Sequence, residues 1–311
     1  MERVKKMKLK KVLAVVIAVV LCVGLFTGCS SKADLKVYDG QFSEMWLVHR
    51  FVKLLVEEHT DLKVEILDEM APLQSYNEMK KGNSDFMNSY DGTLLTTFLG
   101  LDASDVPAGM SLFDFVNEEA AKDTKNTVQL LDKLGINNTY ILGVPQEIAE
   151  EYGLETISDL AAVADKLVFG AEHDFFIERE SAKYDPLVEL YGLEFKEKRP
   201  MDITLKYSAV KSGNIDVTLV YATDGRNKEA NLKLLKDDKQ FFPEYNGAVL
   251  VREDIFTRFE KKAPNLREVF GMLNGLVSDE MMVELTYEID INNRSVDEVA
   301  EEFLKQQGLI S

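Results

Sequence analysis

Four tyrosines carry the chemistry most open to a ligand in this chain: Tyr90, Tyr140, Tyr221 and Tyr245. Each falls at the end of a strand-like run. Three are followed within two positions by a small or turn-forming residue: Gly92, Thr223 and Gly247. The stretch Asn88-Ser89-Tyr90-Asp91-Gly92-Thr93 is the clearest of them, reading as strand, tight turn and helix start. It puts Tyr90 at the carboxyl end of a strand, where ligands bind in open α/β sheets. Gly92 lets backbone approach a ligand closely. Thr93 stands at an N-cap position, with free N–H groups behind it. An ordinary strand–helix turn with packed tyrosines and satisfied hydroxyls has the same signature.

The elements that position these residues alternate. Leu35–Tyr38 reads as a strand, and 44–58 as a helix with an apolar stripe at Leu47, Val48, Phe51, Val52, Leu54 and Leu55, capped by Ser43. Leu62–Ile66 alternates as a second strand, and Gln74–Gly82 is a short helix stopped by its glycine. This order predicts mostly parallel sheets flanked by helices. Residues 118–134 read as a helix ended by Gly135. Strands follow at 138–144, 167–170, 216–221 and 248–251, and from Asp254 onward the chain is helical. There is no internal repeat and no long Pro/Gly/Ser linker. Two lobes of interleaved segments are expected: 35–139 with 244–311, and 140–243.

Residues 1–28 read as an export signal. Arg3 and five lysines precede an apolar run from Val12 to Phe26, too short to span a bilayer comfortably. The run ends in Leu25-Phe26-Thr27-Gly28-Cys29, which resembles a bacterial lipobox, with Phe26 where Leu is usual. That resemblance implies a lipid anchor on Cys29, a tether over 29–34, and an extracytoplasmic domain held at the cell membrane. Cys22 and Cys29 are the two cysteines, so a mature fold of about 280 residues has none for a disulfide, a metal or a nucleophile.

Charge and motif content narrow the function. Removing residues 1–28 takes away six of the 36 basic residues and one of the 54 acidic ones, leaving a formal charge of −23. Such a surface repels nucleic acid and anionic lipid. The three histidines, His49, His59 and His173, form no His-Glu-x-x-His pattern, and no Gly-x-Ser-x-Gly elbow or Walker loop is present. No catalytic residue, metal site or cofactor is therefore expected.

Five motifs in order resemble the substrate-binding lipoproteins of ABC importers for glycine betaine, carnitine, choline and related quaternary amines. They are Gly82-Asn83-Ser84-Asp85 with Tyr90-Asp91-Gly92-Thr93; Asn138-Thr139-Tyr140; Asp174-Phe175-Phe176 with Arg179; Asp216 with Tyr221-Ala222-Thr223-Asp224-Gly225; and Phe241-Phe242-Pro243-Glu244-Tyr245-Asn246. The resemblance implies a two-lobed type II periplasmic-binding-protein fold with the ligand cleft at the hinge. It implies an ABC permease and its ATPase as partners. It also implies an aromatic box of Tyr90, Tyr140, Tyr221 and Tyr245 around a trimethylammonium group, with Arg179 and Thr93 meeting a ligand carboxylate. The physics suits such a box. A quaternary ammonium has no N–H to donate, and ring faces attract its diffuse charge.

The sequence departs from the family at two turns. Asp91 follows Tyr90 where a neutral residue is common, and Tyr38-Asp39-Gly40-Gln41 leaves only Gln41 as an obvious polar contact. If Asp39 or Asp91 faces the cleft, choline is favoured over a ligand with a carboxylate. Trp46 and His49, just past this turn, are expected in the core or on the surface of a helix. Another ligand of the same fold, ergothioneine or an amino acid, is the alternative.

Overall fold

The computed structural model describes residues 33–311 apart from 124, 126, 178–181 and 203–204, so the signal segment, Cys29 and Arg179 lie outside the described residues. Asp34, the last residue of the expected tether, is held at the fold's edge. Its carboxylate accepts the Lys63 N–H at 2.9 Å and pairs with Lys262 at 2.8 Å.

The amphipathic pattern is realised where it is strongest. Strand β1 (Leu35–Asp39) leads into α1 (Ser43–His59), and β2 (Val64–Glu69) into α2 (Pro72–Lys81). Along α1, Leu47, Val48, Phe51, Val52, Leu55 and Val56 are buried at helical spacing against Leu35 and Val37 of β1. Ser43 does not cap α1. Phe42 precedes the helix, and the Ser43 hydroxyl donates to Asp290 at 2.8 Å. Strand β3 (Phe86–Tyr90) then runs into the short helix α3 (Asp91–Thr93).

The expected helix over 118–134 is replaced by two elements, α4 (Leu112–Ala121) and strand β4 (Val128–Asn137). Leu131 and Leu134 fit a helical stripe, but Val128, Leu130, Leu134 and Ile136 are the buried positions and follow the period of two. Gly135 is not a helix cap. A Cβ there would meet the Val277 carbonyl at 2.7 Å, so the glycine lets backbone pass close to β4.

The next elements are β5 (Tyr140–Pro145), β6 (Val168–Glu172), β7 (Glu197–Met201), α5 (Lys206–Lys211), β8 (Val217–Tyr221), α6 (Arg226–Glu229) and β9 (Leu232–Leu235). They are followed by β10 (Asn246–Arg252), α7 (Asp279–Asp290) and α8 (Val296–Gln306). One sheet has the order β7-β6-β8-β5-β9 and is drawn wholly from 140–235. Two further sheets have the orders β1-β2 and β3-β10-β4.

These sheets are mixed rather than mostly parallel. β1 with β2, and β6 with β7 and β8, are parallel, while β10 is antiparallel to β3 and β4, and β5 to β8 and β9. The interleaved chain path bears on this: β4 is followed by the excursion through β5–β9 before the chain returns as β10, antiparallel to it. Strand β7 has no apolar alternation. It reads Glu-Lys-Arg-Pro-Met and lies at a sheet edge, where Pro200 and charged side chains are tolerated.

Central strands are buried on both faces. In β10, Val249 and Val251 join the core under α1, while Ala248 and Leu250 pack with Tyr76, Met79 and Phe115. In β8, Val217 and Leu219 face one core and Val220 the other. The two crossing segments pair with each other. The Asn138 N–H donates to the Tyr245 carbonyl at 3.1 Å and the Thr139 hydroxyl to the Pro243 carbonyl at 2.7 Å. Beyond β8, a Cβ on Gly225 would meet the Tyr287 backbone nitrogen at 2.4 Å, so a glycine is what lets this turn lie against α7. Among the described residues no helix is long and apolar enough to cross a membrane, and no cluster of His, Cys, Asp or Glu is arranged to hold a metal ion.

Candidate functional site

A cavity of about 690 Å³ opens where β3, the start of α1, the end of β8 and the residues before β10 meet. Its wall includes Gln41, Tyr90, Thr93, Tyr221 and Tyr245, five of the residues singled out from the sequence. Tyr90 ends β3, Tyr245 directly precedes the neighbouring strand β10, and their ring centroids stand 5.1 Å apart. The residue paired with Tyr90 across the sheet is Gly247, which presents no side chain to that ring. The Tyr245 ring passes over Gly92, where a Cβ would lie 2.2 Å from Cε2. Its hydroxyl is 2.5 Å from Thr93 Oγ1.

Tyr221 enters from the end of β8, in the five-stranded sheet. Tyr140 is its partner in register on β5, with ring centroids 4.9 Å apart, planes 29° apart and hydroxyls 3.2 Å apart. Tyr140 thus stands behind Tyr221 rather than on the cavity wall. Lys206 is nearly fully buried near the Tyr221 ring, its Nζ 5.5 Å from the centroid, and is paired with Glu172 at 2.7 Å. Burial, aided by the Tyr221 hydroxyl, pushes the Tyr140 pKa up, so that phenol is neutral.

Thr93 is not an N-cap. Helix α3 begins at Asp91 after Tyr90, and Thr93 lies at its C-terminal end. Asp91, the first residue of this helix, holds the turn instead. Its carboxylate accepts the Gly92 N–H at 2.8 Å, the Asn246 N–H at 2.9 Å and the Asn246 side-chain amide at 2.7 Å. It is fully buried, burial raises its pKa, and it forms no part of the cavity wall. Asp39 is also turned away, accepting from His49 Nδ1 at 3.0 Å and paired with Arg50. The two acids that departed from the family pattern therefore hold structure, and neither biases the cleft toward choline.

His49 is fully buried rather than on a helix surface. Its Nε2 accepts the Asn88 N–H at 2.9 Å, which leaves the proton on Nδ1 facing Asp39. Burial lowers its pKa. The ring thus ties α1 to β3 two residues before Tyr90.

Sequence reasoning missed other wall residues. Trp46 lines the cavity and donates from Nε1 to the Gly40 carbonyl at 2.5 Å. Arg226 lines it too, forked onto Asp224 with Nε and Nη2 contacts of 3.0 and 2.8 Å. Glu44 is the largest omission: a carboxylate 5 % exposed, on the wall, hydrogen-bonded by Tyr90 and Thr223. Its only sequence signal was its place at the first turn of α1, beside Gln41, and 53 other acids hid it.

The arrangement offers aromatic faces, hydroxyls and the carboxylates of Glu44, Asp224 and Asp290 to a small molecule. Residues 33–306 match the family described as the substrate binding domain of ABC-type glycine betaine transport systems. The chain is 36% identical over 284 residues to the carnitine transport binding protein OpuCC of Listeria monocytogenes, covering 90% of this chain and 89% of that one. It is 32% identical over 268 residues to the ergothioneine transport permease/ergothioneine binding protein EgtU of Helicobacter pylori, covering 86% of this chain and 46% of that longer one. A solved glycine betaine/carnitine/choline ABC transporter structure superposes with a TM-score of 0.79 at 30% identity, over 89% of this chain and all of that one.

Proposed function

The chain belongs to the family of substrate-binding domains of ABC-type glycine betaine transport systems, and on that premise we propose that its tyrosines form a cage for a quaternary ammonium compatible solute. Glycine betaine, choline and carnitine are the candidates, and the bound solute is delivered to an ABC permease driven by its ATPase. Substrate-binding proteins of such importers work outside the cytoplasm. A lipid anchor on Cys29, following removal of residues 1–28, would tether this one to the membrane.

The observation that carries this reading is the convergence of Tyr90, Tyr245 and Tyr221 on one cavity, with Tyr140 stacked behind Tyr221. Three rings give a methylated cation both apolar contact and cation–π attraction, about 0.5–1 kcal/mol per exposed ring and ~2 or more when desolvated. We assign 35–139 with 244–311 to one lobe and 140–243 to the other. Tyr90, Thr93 and Tyr245 then face Tyr221, backed by Tyr140, across the hinge, and the cage is complete only when the lobes close. Gln41 and Thr93 on the wall, with Arg179 beyond Phe176, are the proposed contacts for a ligand's polar end.

Ergothioneine remains the second reading, favoured by the match to EgtU. It is also a betaine and suits the same rings.

Trp46, the single tryptophan, lies on the cavity wall and reports occupancy directly. Titration with glycine betaine, choline, carnitine and ergothioneine is expected to give a saturable change in its emission for at least one of the first three. A response confined to ergothioneine would move the assignment to the second reading. No saturable response to any of the four would overturn the cage.

A further inference from the structure

We infer that Glu44 is the acidic wall of the cage, the residue that sets its preference for a net cationic quaternary amine over a zwitterionic one; this rests on the quaternary-amine reading above. Glu44 lies at the start of α1 and is 5 % exposed, yet it lines the cavity. All its partners are neutral donors. One oxygen accepts from the Tyr90 hydroxyl and from the Asn138 amide at 3.4 Å, and the other accepts from the Thr223 hydroxyl at 2.6 Å. Among the described residues no Lys, Arg or His forms an ion pair with it. Arg226 on the same wall is held by Asp224, and Lys206 behind Tyr221 by Glu172.

Two consequences follow from this bonding. Three of the carboxylate's roughly four acceptor directions are already filled. Glu44 therefore offers charge but little free hydrogen-bonding capacity, which suits a cation without N–H groups better than a primary ammonium. In addition, a phenol donating to a carboxylate is polarised toward its anion, which makes the Tyr90 ring more electron-rich and its face more attractive to a cation.

Ionising Glu44 in the empty site is unfavourable. Burial raises its pKa most, the hydroxyls of Thr223 and Tyr90 pull it back, and Asp279 on α7 pushes it up again. The other titratable groups around it are Asp290 of α7, the Asp224–Arg226 pair after β8, and the phenols of Tyr90, Tyr221 and Tyr245. A bound cation offsets the cost and draws Glu44 into its charged form. A zwitterion brings its own carboxylate, whose repulsion cancels part of the gain. Affinity for choline relative to glycine betaine should therefore rise with pH above the ordinary glutamate range and level off once the empty site is ionised.

The test titrates the protein and Glu44→Gln with choline and with glycine betaine at several pH values. Glu44→Gln is expected to lower the choline-to-betaine affinity ratio by on the order of tenfold and to remove its pH dependence. Glu44→Asp, which keeps the charge, should restore part of the ratio. An unchanged ratio in Glu44→Gln, with both ligands still bound, overturns this inference and leaves the cage standing. Failure of the unmodified protein to bind either ligand, carnitine or ergothioneine overturns the cage itself. If Glu44→Gln does not fold, the unmodified protein decides: a ratio that does not change with pH rules the inference out.

Discussion

Tyr221→Ala is expected to weaken binding of glycine betaine and choline by at least about 100-fold, close to 3 kcal/mol. The ring reaches the cavity from a different sheet than Tyr90, and in the proposed cage it supplies the closing face. Truncating it removes a desolvated cation–π contact of ~2 kcal/mol or more, together with apolar cover at about 25 cal/mol per Å². It also strips Tyr140 of its stacking partner and of the hydroxyl 3.2 Å away. Tyr221 is only partly buried, at the end of β8, so cooperative unfolding should persist. Tyr221→Phe separates the ring from its hydroxyl and should keep most of the affinity. Calorimetric titration of the three proteins checks this; equal affinity for Ala and wild type would return Tyr221 to a packing role.

A larger structural lever for its size is Gly92→Ala. The added methyl carbon would sit 2.2 Å from Cε2 and 2.5 Å from Cδ2 of Tyr245, so the ring has to leave its place. The backbone itself accepts alanine, since Gly92 lies within helix α3 and has no left-handed φ. The swing would break the contact between the Tyr245 hydroxyl and Thr93 and open the wall shared with Tyr90. Affinity should fall by ~10-fold or more, as for the loss of an aromatic anchor, while the melting temperature changes little. Unchanged affinity with a displaced ring would show that Tyr245 is not part of the cage.

The legible parts of this molecule are those where local pattern and tertiary role coincide. The stripe on α1 is a core face by period alone, and each tyrosine of the site stands at one end of a strand or just before one: Tyr90 and Tyr221 end theirs, Tyr140 begins β5 and Tyr245 precedes β10. The segment 128–137 was misread because Leu131, Leu134 and Gly135 satisfy a helical period and cap. Pairing with β10 decides for a strand, and no window of local sequence contains β10. The acids were harder still. Asp39 and Asp91 stood out because they broke a familiar pattern, yet His49, Arg50 and Asn246 consume them, the last from 155 residues away. Glu44 blended into an acidic chain, and what sets it apart is contact with Thr223, 179 residues on. Charge type is local information, whereas the partner that satisfies or strands a charge is not.

The central claim is that aromatic faces, rather than hydrogen-bond acceptors, recognise a fully methylated ammonium. Titrating glycine, sarcosine, dimethylglycine and glycine betaine against Trp46 emission tests it most directly, because the carboxylate end is constant and only N–H is exchanged for methyl. Each methyl removes a donor the rings cannot satisfy and adds apolar surface, about 0.8 kcal/mol per buried carbon. Affinity should therefore climb at every step, with glycine showing no saturable binding. Glycine or sarcosine binding as tightly as glycine betaine would contradict the cage.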